Sequence, residues 1–576
     1  MNTLLSSLNG GLSSNAGDIL TIVFLLIFTI VVSLAGVYVI ATNINRQDKD
    51  QLPADLAKPK KESQFKVVHA VFLVLALGFA IRTVFALTTN GFLGTNPQNL
   101  TASNNRNGLV LLYQTMGRLF TGQGISQTSY GVHLFPEGIY PVPFLFFTMF
   151  GGIAHLFSPI NSADPSIAAQ LLFRMPFILF DIGTALLLFF AAKKFLNQRV
   201  GLGLVIIYAL NPIFIFASSI WGSMFSILAF FIVLSLYFMA SKNFLGLTIA
   251  FSLALLTSSD AILFSPVFIV FVGYHCVKAI KIVKAERQRE RDLKLVRGRK
   301  AYKPGVEEDE ALNKKKKWYT LMMDKERGLA IRIPLYIVAS LIVMYVLSLP
   351  LLAHINFNPW SWFVGLFFTP FASGMRYVTF NGMTIYTLFG RNGRPVAGDI
   401  PAYVYSILFF VVAIALVLTI YISKKNRANM VLVASYLVFT LSIFFMNFSE
   451  LNLITVLAGL LISFIFIKDK RILHVFSLLS ITVLINAGLV MMTTGYFANI
   501  PLSYYDNSNA TAIIDANAPT AAVAMNLVMT ALTLIIFVYK SFILLDITLA
   551  NTRKPFTTRD RAVLPVLYDF MRIRKR

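Results

Sequence analysis

A chain of 576 residues with 57% hydrophobic and only 13% charged content, and a mean hydropathy of +0.71, carries more apolar surface than a soluble domain of that length can bury, which marks a polytopic membrane protein. Its single cysteine, Cys276, excludes an internal disulfide framework and a four-cysteine metal site. The net charge of +24 would suggest nucleic acid in a soluble chain, but here the charge is segregated: no Lys or Arg precedes Arg46, and the basic residues cluster at 46–66, 193–199, 278–332, 424–427, 468–471 and 553–576. That pattern reads as one membrane topology, with no nucleic-acid partner.

Taken in chain order, apolar runs of spanning length lie at 19–41, 67–88, 169–193, 199–219, 222–240, 333–355, 401–422, 429–446, 450–467, 473–495 and 520–545. A shorter pair, 243–258 and 261–280, pivots at Ser258-Ser259-Asp260. The expectation is an all-α transmembrane bundle of about 13 spans, N-terminus outside and C-terminus cytoplasmic. The first run lacks a cleavage-site pattern and reads as a retained span.

This divides the chain into an extra N-terminal helix with a basic linker (1–66), an N-terminal membrane module (67–277) with a long outer loop (89–168), a charged cytoplasmic loop (278–332), a C-terminal module (333–545) with a second outer segment (356–400), and a basic tail (546–576). In the first outer loop, Leu109, Leu112, Tyr113, Met116, Leu119 and Phe120 recur at helical spacing, as in an interfacial helix. The run 143–157 is too short to span easily and carries Gly151-Gly152, so it reads as a broken re-entrant or surface helix. The loop 278–332 has twice as many basic as acidic residues and reads as a helical extension lying over anionic headgroups, or else as a docking site.

Asp181 stands mid-span, with Arg174 seven residues before it on the same helical face, and a charge at that depth faces either a polar cavity or a partner helix. Six arginines fall on the outer side against the charge bias: Arg106, Arg118, Arg174, Arg376, Arg391 and Arg394. Guanidinium matches phosphate geometry, so they are candidate lipid-phosphate ligands; snorkelling to headgroups is the plainer account of any one of them. A general base on that face must come from Glu137, Asp164, Asp260, Asp399, Glu450, Asp506 or Asp515, or from His133, His155 or His354. HExxH, Walker, GxSxG and His/Cys-cluster patterns are all missing, so no metal and no cofactor is implied. Trp221 sits at an outer span end, where tryptophan commonly anchors the interface. The sequons at Asn99, Asn447 and Asn509 also map outside.

Several stretches, in order, resemble the GT-C class of membrane glycosyltransferases, which draw sugar from a polyprenyl-phosphate donor at the outer or lumenal face. GIYPVPFLFF (138–147) resembles their Tyr-Pro-Pro segment. LLFRMPFILFDIGTALLLFFAAKKF (171–195) resembles the span that follows, with Arg174 at its basic position. The Asn-Pro span from Asn211 leads to a Trp-Gly-Ser tip similar to their Trp-Gly-Gln-Xaa-Asp tip. VTFNGMTIYTLFGRNG (378–393) is similar to the segment after the second outer loop, and FMNFSELNLITVL (445–457) to a His-Glu-Arg-Tyr segment. The resemblance covers roughly residues 67–495. It implies a sugar-lipid cavity with Arg174, Trp221, Asp260, Arg376, Arg391 and Glu450 as substrate-binding candidates.

The chemistry of that class is depleted here. Ser223-Met224-Phe225 replaces the polar pair of the tip, and GTNPQNLTASNNRNGLV contains no acid where a base is expected. Tyr140-Pro141-Val142 replaces Tyr-Pro-Pro, and Ser449-Glu450-Leu451-Asn452 keeps only the Glu. Asn and Gln cannot accept the acceptor's proton, which leaves Glu137 as the single catalytic candidate.

Three readings stand. The first is a lapsed, pseudoenzyme GT-C scaffold that binds lipid or joins other membrane subunits, and the lost motif positions favour it. The second is an active polyprenyl-phosphate-sugar-dependent transferase working at the extracytoplasmic face with Glu137 as base. The third is a transporter or flippase, suggested by Asp181 and the broken pair at Asp260. The implied partners are lipids, a polyprenyl-phosphate sugar among them, and other membrane subunits. The economy of the loops leans to a prokaryotic plasma membrane over the endoplasmic reticulum.

Overall fold

The computed structural model describes residues 16–43, 61–88, 140–157, 167–299, 327–351, 358–367, 378–380, 382–392, 400–423, 427–446, 448–449, 451–492 and 520–549. The candidates Glu137, Arg376 and Glu450, and the amphipathic stretch from Leu109, lie outside the described residues.

The described chain is helical: α1 (Ala16–Asn43), α2 (Lys61–Thr88), α3 (Pro141–Phe157), α4 (Ile167–Phe195), α5 (Gln198–Ala209), α6 (Pro212–Ile215), α7 (Met224–Ala240), α8 (Phe244–Leu255), α9 (Ser265–Arg299), α10 (Leu329–Ser348), α11 (Pro359–Phe367), α12 (Ile385–Leu388), α13 (Ile400–Ser423), α14 (Arg427–Phe444), α15 (Leu453–Ile467), α16 (Lys470–Met492) and α17 (Thr520–Leu549). Among the described residues, seven helices are long and apolar enough to cross a membrane, and α5 with α6 and the following turn form an eighth candidate bent by 53°. Several of the expected spans are realised as shorter apolar helices, among them 224–240, 244–255 and 453–467.

The centre is α15, whose side chains are buried almost all round, as expected of a helix that faces protein on every side rather than lipid. It packs on α7, α14 and α16, while α1 packs on α5 and α16, so the two halves of the chain share one core. α1 is therefore part of the bundle, joined through Gly36 and Gly203. A Cβ at Gly203 would lie 2.6 Å from Ile40 Cγ1 and 3.1 Å from the Gly36 carbonyl. Small residues let helix backbones approach closely in a membrane, where van der Waals contact carries association.

One sequence expectation is corrected. Helix α3 runs unbroken through Gly151-Gly152. Each glycine weakens a helix by about 1 kcal/mol, and ring packing offsets this: Phe147 lies 5.2 Å from Phe177 and 6.2 Å from Phe173 on α4. Asp181, expected to face a polar cavity or a partner helix, meets a partner from a neighbouring helix, as described below. The pivot at Ser258-Ser259-Asp260 is present as a tight turn between α8 and α9. α9 then continues to Arg299, so the charged loop does begin as a helical extension.

Candidate functional site

The Asn-Pro of the long apolar run explains the bend. Pro212 has no N–H and pushes Asn211 out of the helical region, to φ −72° and ψ 125°. The Asn211 side chain then accepts from the Ile213 N–H at 3.2 Å and caps the next helix. In an unbroken helix that N–H would serve the Ala209 carbonyl. The freed carbonyl instead accepts from Arg82 Nη1 of α2.

Arg82 is the hub of a buried polar centre. Its Nη2 lies 2.6 Å from Asp181 Oδ2 on α4, and its Nε donates to the same oxygen at 2.8 Å. Ser218 Oγ joins from the π-helical turn Phe216–Trp221, 3.2 Å from both Arg82 Nε and Asp181 Oδ2. Arg82 Nη1 also reaches the Gly78 carbonyl at 3.0 Å. The Tyr208 hydroxyl faces Asp181 and Thr184, at a geometry looser than a hydrogen bond. Both side chains of the pair are wholly buried. Breaking such a pair on one side leaves an uncompensated charge and costs about 3–5 kcal/mol. The pair therefore fastens α2, α4 and the broken α5–α6 span at one point.

A second cluster brings the Tyr-Pro segment onto the pivot. The Val142 N–H donates to the Leu256 carbonyl at 3.0 Å, and the buried Tyr140 hydroxyl faces Ser259 and the Asp260 carboxylate. The 259–264 turn also touches α11 and α14.

A third joins the two late segments. Thr379-Phe380 pairs in parallel with Phe448-Ser449, and Thr379 also bridges to Asn392. Tyr386 pins this region down: its hydroxyl lies 2.7 Å from Ser406 Oγ and donates to the Phe444 carbonyl at 3.1 Å.

The described candidates thus sit in four local settings. Arg174 Nη1 donates to the Ala86 carbonyl at 2.7 Å, tying α4 to the end of α2. Trp221 packs on Phe216, ring centroids 5.6 Å apart. Asp260 belongs to the Tyr140 cluster. The Arg391 backbone N–H donates to the Tyr386 carbonyl at 3.0 Å, within the strand-paired region. At the tip, Ser223 serves as the N-cap of α7, accepting from the Phe225 N–H at 3.2 Å.

Two buried charged residues escaped the sequence reading. Arg82 is a lone cation inside the run 67–88, and pairing it with the lone anion Asp181 was available from composition. Lys540 is buried on α17, where Nζ donates to the Ser435 carbonyl at 3.0 Å and lies 5.2 Å from the Phe439 ring. Among the described residues no carboxylate pairs with it. Nor do they contain a group of three or more His, Cys, Asp or Glu able to hold a metal ion.

Residues 115–373 match the family model PIG-U, described as GPI transamidase subunit PIG-U. No curated protein matches the chain. The matched stretch takes in Tyr140, Arg174, Asp181, Ser218, Trp221 and Asp260, and leaves Arg82, Arg391 and Lys540 outside. The family is that of a membrane-complex subunit.

Proposed function

We propose that this chain is a non-catalytic, membrane-embedded subunit of a GPI transamidase-type complex, with a lapsed GT-C-like bundle serving as a scaffold for lipid and for partner subunits. The observation that carries the reading is the PIG-U match over 115–373. It agrees with the choice of scaffold over transferase made from the lost motif positions. The internal chemistry supports it too: Arg82, Asp181 and Ser218 bond to one another, and Arg174 holds a backbone carbonyl. Such groups fasten helices.

The same match favours the endoplasmic reticulum over the prokaryotic plasma membrane to which the loops leaned. The orientation, N-terminus outside and C-terminus cytoplasmic, rests on charge segregation. Membrane lipid remains a partner in this reading, whereas a bound polyprenyl-phosphate sugar with outer-arginine contacts to its phosphate belongs to the transferase alternative.

GPI attachment removes a C-terminal hydrophobic tail from the acceptor protein. In source cells depleted of this chain, a reporter bearing such a signal is expected to keep its tail. Wild-type chain and Glu137→Gln are both expected to restore anchoring. Normal anchoring without the chain would overturn the proposal, and failure of a folded Glu137→Gln to restore it would return Glu137 to a catalytic role.

A further inference from the structure

At the basic end of the bundle a cavity of about 400 Å³ opens between α8, α9 and α10. Lys242, Lys278 and Arg332 line it from three directions, with His275, Asn243 and Tyr336 between them, and no carboxylate is among its lining residues.

The wall is built rather than incidental. Helix α7 closes in a Schellman turn, in which the Asn243 N–H reaches the Phe238 carbonyl at 3.0 Å and the Lys242 N–H the Met239 carbonyl at 3.1 Å. The left-handed position of that turn normally falls to glycine; here Lys242 fills it at φ 54°. A side chain there is strained, and what the lysine adds is a cation at the cavity wall. Asn243 then caps α8, accepting from the Gly246 N–H at 3.1 Å, and the first turn of α8 lines the cavity. Amides at the start of a helix have no intrahelical acceptor and favour anions.

An apolar lane adjoins this charged end. Leu245 lines the cavity and is exposed, and Ile249, one turn further along α8, is exposed on the same face. On α10, Leu335, next to the lining residue Tyr336, is exposed as well. Cations in a recess with exposed aliphatic rows leading away match a phosphate head with acyl chains, and not a free anion alone. Basic pockets between membrane helices on the cytoplasmic side hold anionic headgroups.

We propose that this cavity is a binding site for the phosphate headgroup of an anionic membrane lipid in the leaflet at the basic end of the bundle. The site is separate from the scaffold reading and stands or falls without it.

The test uses the purified full-length chain in mild detergent, with phosphatidic acid, phosphatidylcholine and inorganic phosphate as probes, read by native mass spectrometry. Phosphatidic acid is expected to be retained in preference to phosphatidylcholine, and millimolar inorganic phosphate to leave it bound. Lys278→Gln with Arg332→Gln is expected to cut that preference by about 30-fold. Equal retention of the two lipids, or an unchanged preference in the double variant, overturns the proposal. Displacement of the lipid by inorganic phosphate would overturn the lipid assignment in favour of a free-phosphate site. Should the double variant not fold, photoactivatable phosphatidic acid on the wild-type chain decides: adducts on the first turn of α8 and on α10 near Tyr336 are expected, and adducts confined elsewhere refute the site.

Discussion

Arg82 and Asp181, 99 positions apart in the chain, meet at 2.6 Å with both side chains fully buried. Ser218 closes the triangle. The arginine also serves the carbonyl that the Asn211-Pro212 break sets free, so one ion pair stabilises both a helix–helix contact and a helix discontinuity.

Arg82→Ala or Asp181→Ala alone is expected to destabilise by about 3–5 kcal/mol, because each leaves a buried charge alone. The double replacement Arg82→Met with Asp181→Leu is expected to recover much of the loss. Melting of the full-length chain in detergent checks this. Additive losses in the double variant would mean that the two residues act separately.

Glycine contacts rank the next set of variants. Gly203→Ala places a Cβ 3.1 Å from the Gly36 carbonyl, where backbone must move, and a loss of about 1–3 kcal/mol is expected from overpacking. Gly183→Ala meets the Phe230 ring, at 3.3 Å, and is expected to be nearly neutral. Equal Tm values for the two would contradict the close α1–α5 seam.

Tyr386→Phe removes a buried hydroxyl bonded to Ser406 and the Phe444 carbonyl. A loss of about 1–3 kcal/mol is expected, together with faster proteolysis of the segment 378–392. An unchanged cleavage pattern would show that the strand pairing alone holds that segment.

Much of this was legible in sequence and the rest was not, for identifiable reasons. Apolar runs set the helices, and turn chemistry marked the Ser258-Ser259-Asp260 pivot, whereas the run 199–219 read as one span although it bends at Asn211-Pro212. The Gly151-Gly152 break failed because tertiary ring packing overrode helix propensity. Asp181 was legible as a charge facing a cavity or a partner helix, but which residue of which helix meets it was not, because Arg82 lies 99 positions away. Lys540 was lost in a long apolar run. Tyr140 against Asp260, and Thr379 against Phe448, are contacts between segments far apart in the chain, which local periodicity cannot reveal.

Lys540 is held by a backbone carbonyl, a serine hydroxyl and aromatic faces. Replacing a buried charge with an apolar side chain of similar volume is often neutral or stabilising. Lys540→Met is expected to leave the Tm unchanged or higher, and Lys540→Glu to prevent folding. A marked fall in Tm for Lys540→Met would give the ammonium group a structural part.

The scaffold reading is tested most directly by native mass spectrometry of the chain extracted gently from its own membrane. A defined hetero-complex with other membrane proteins is the expected result. A monomer carrying a polyprenyl-phosphate sugar would contradict it and restore the transferase.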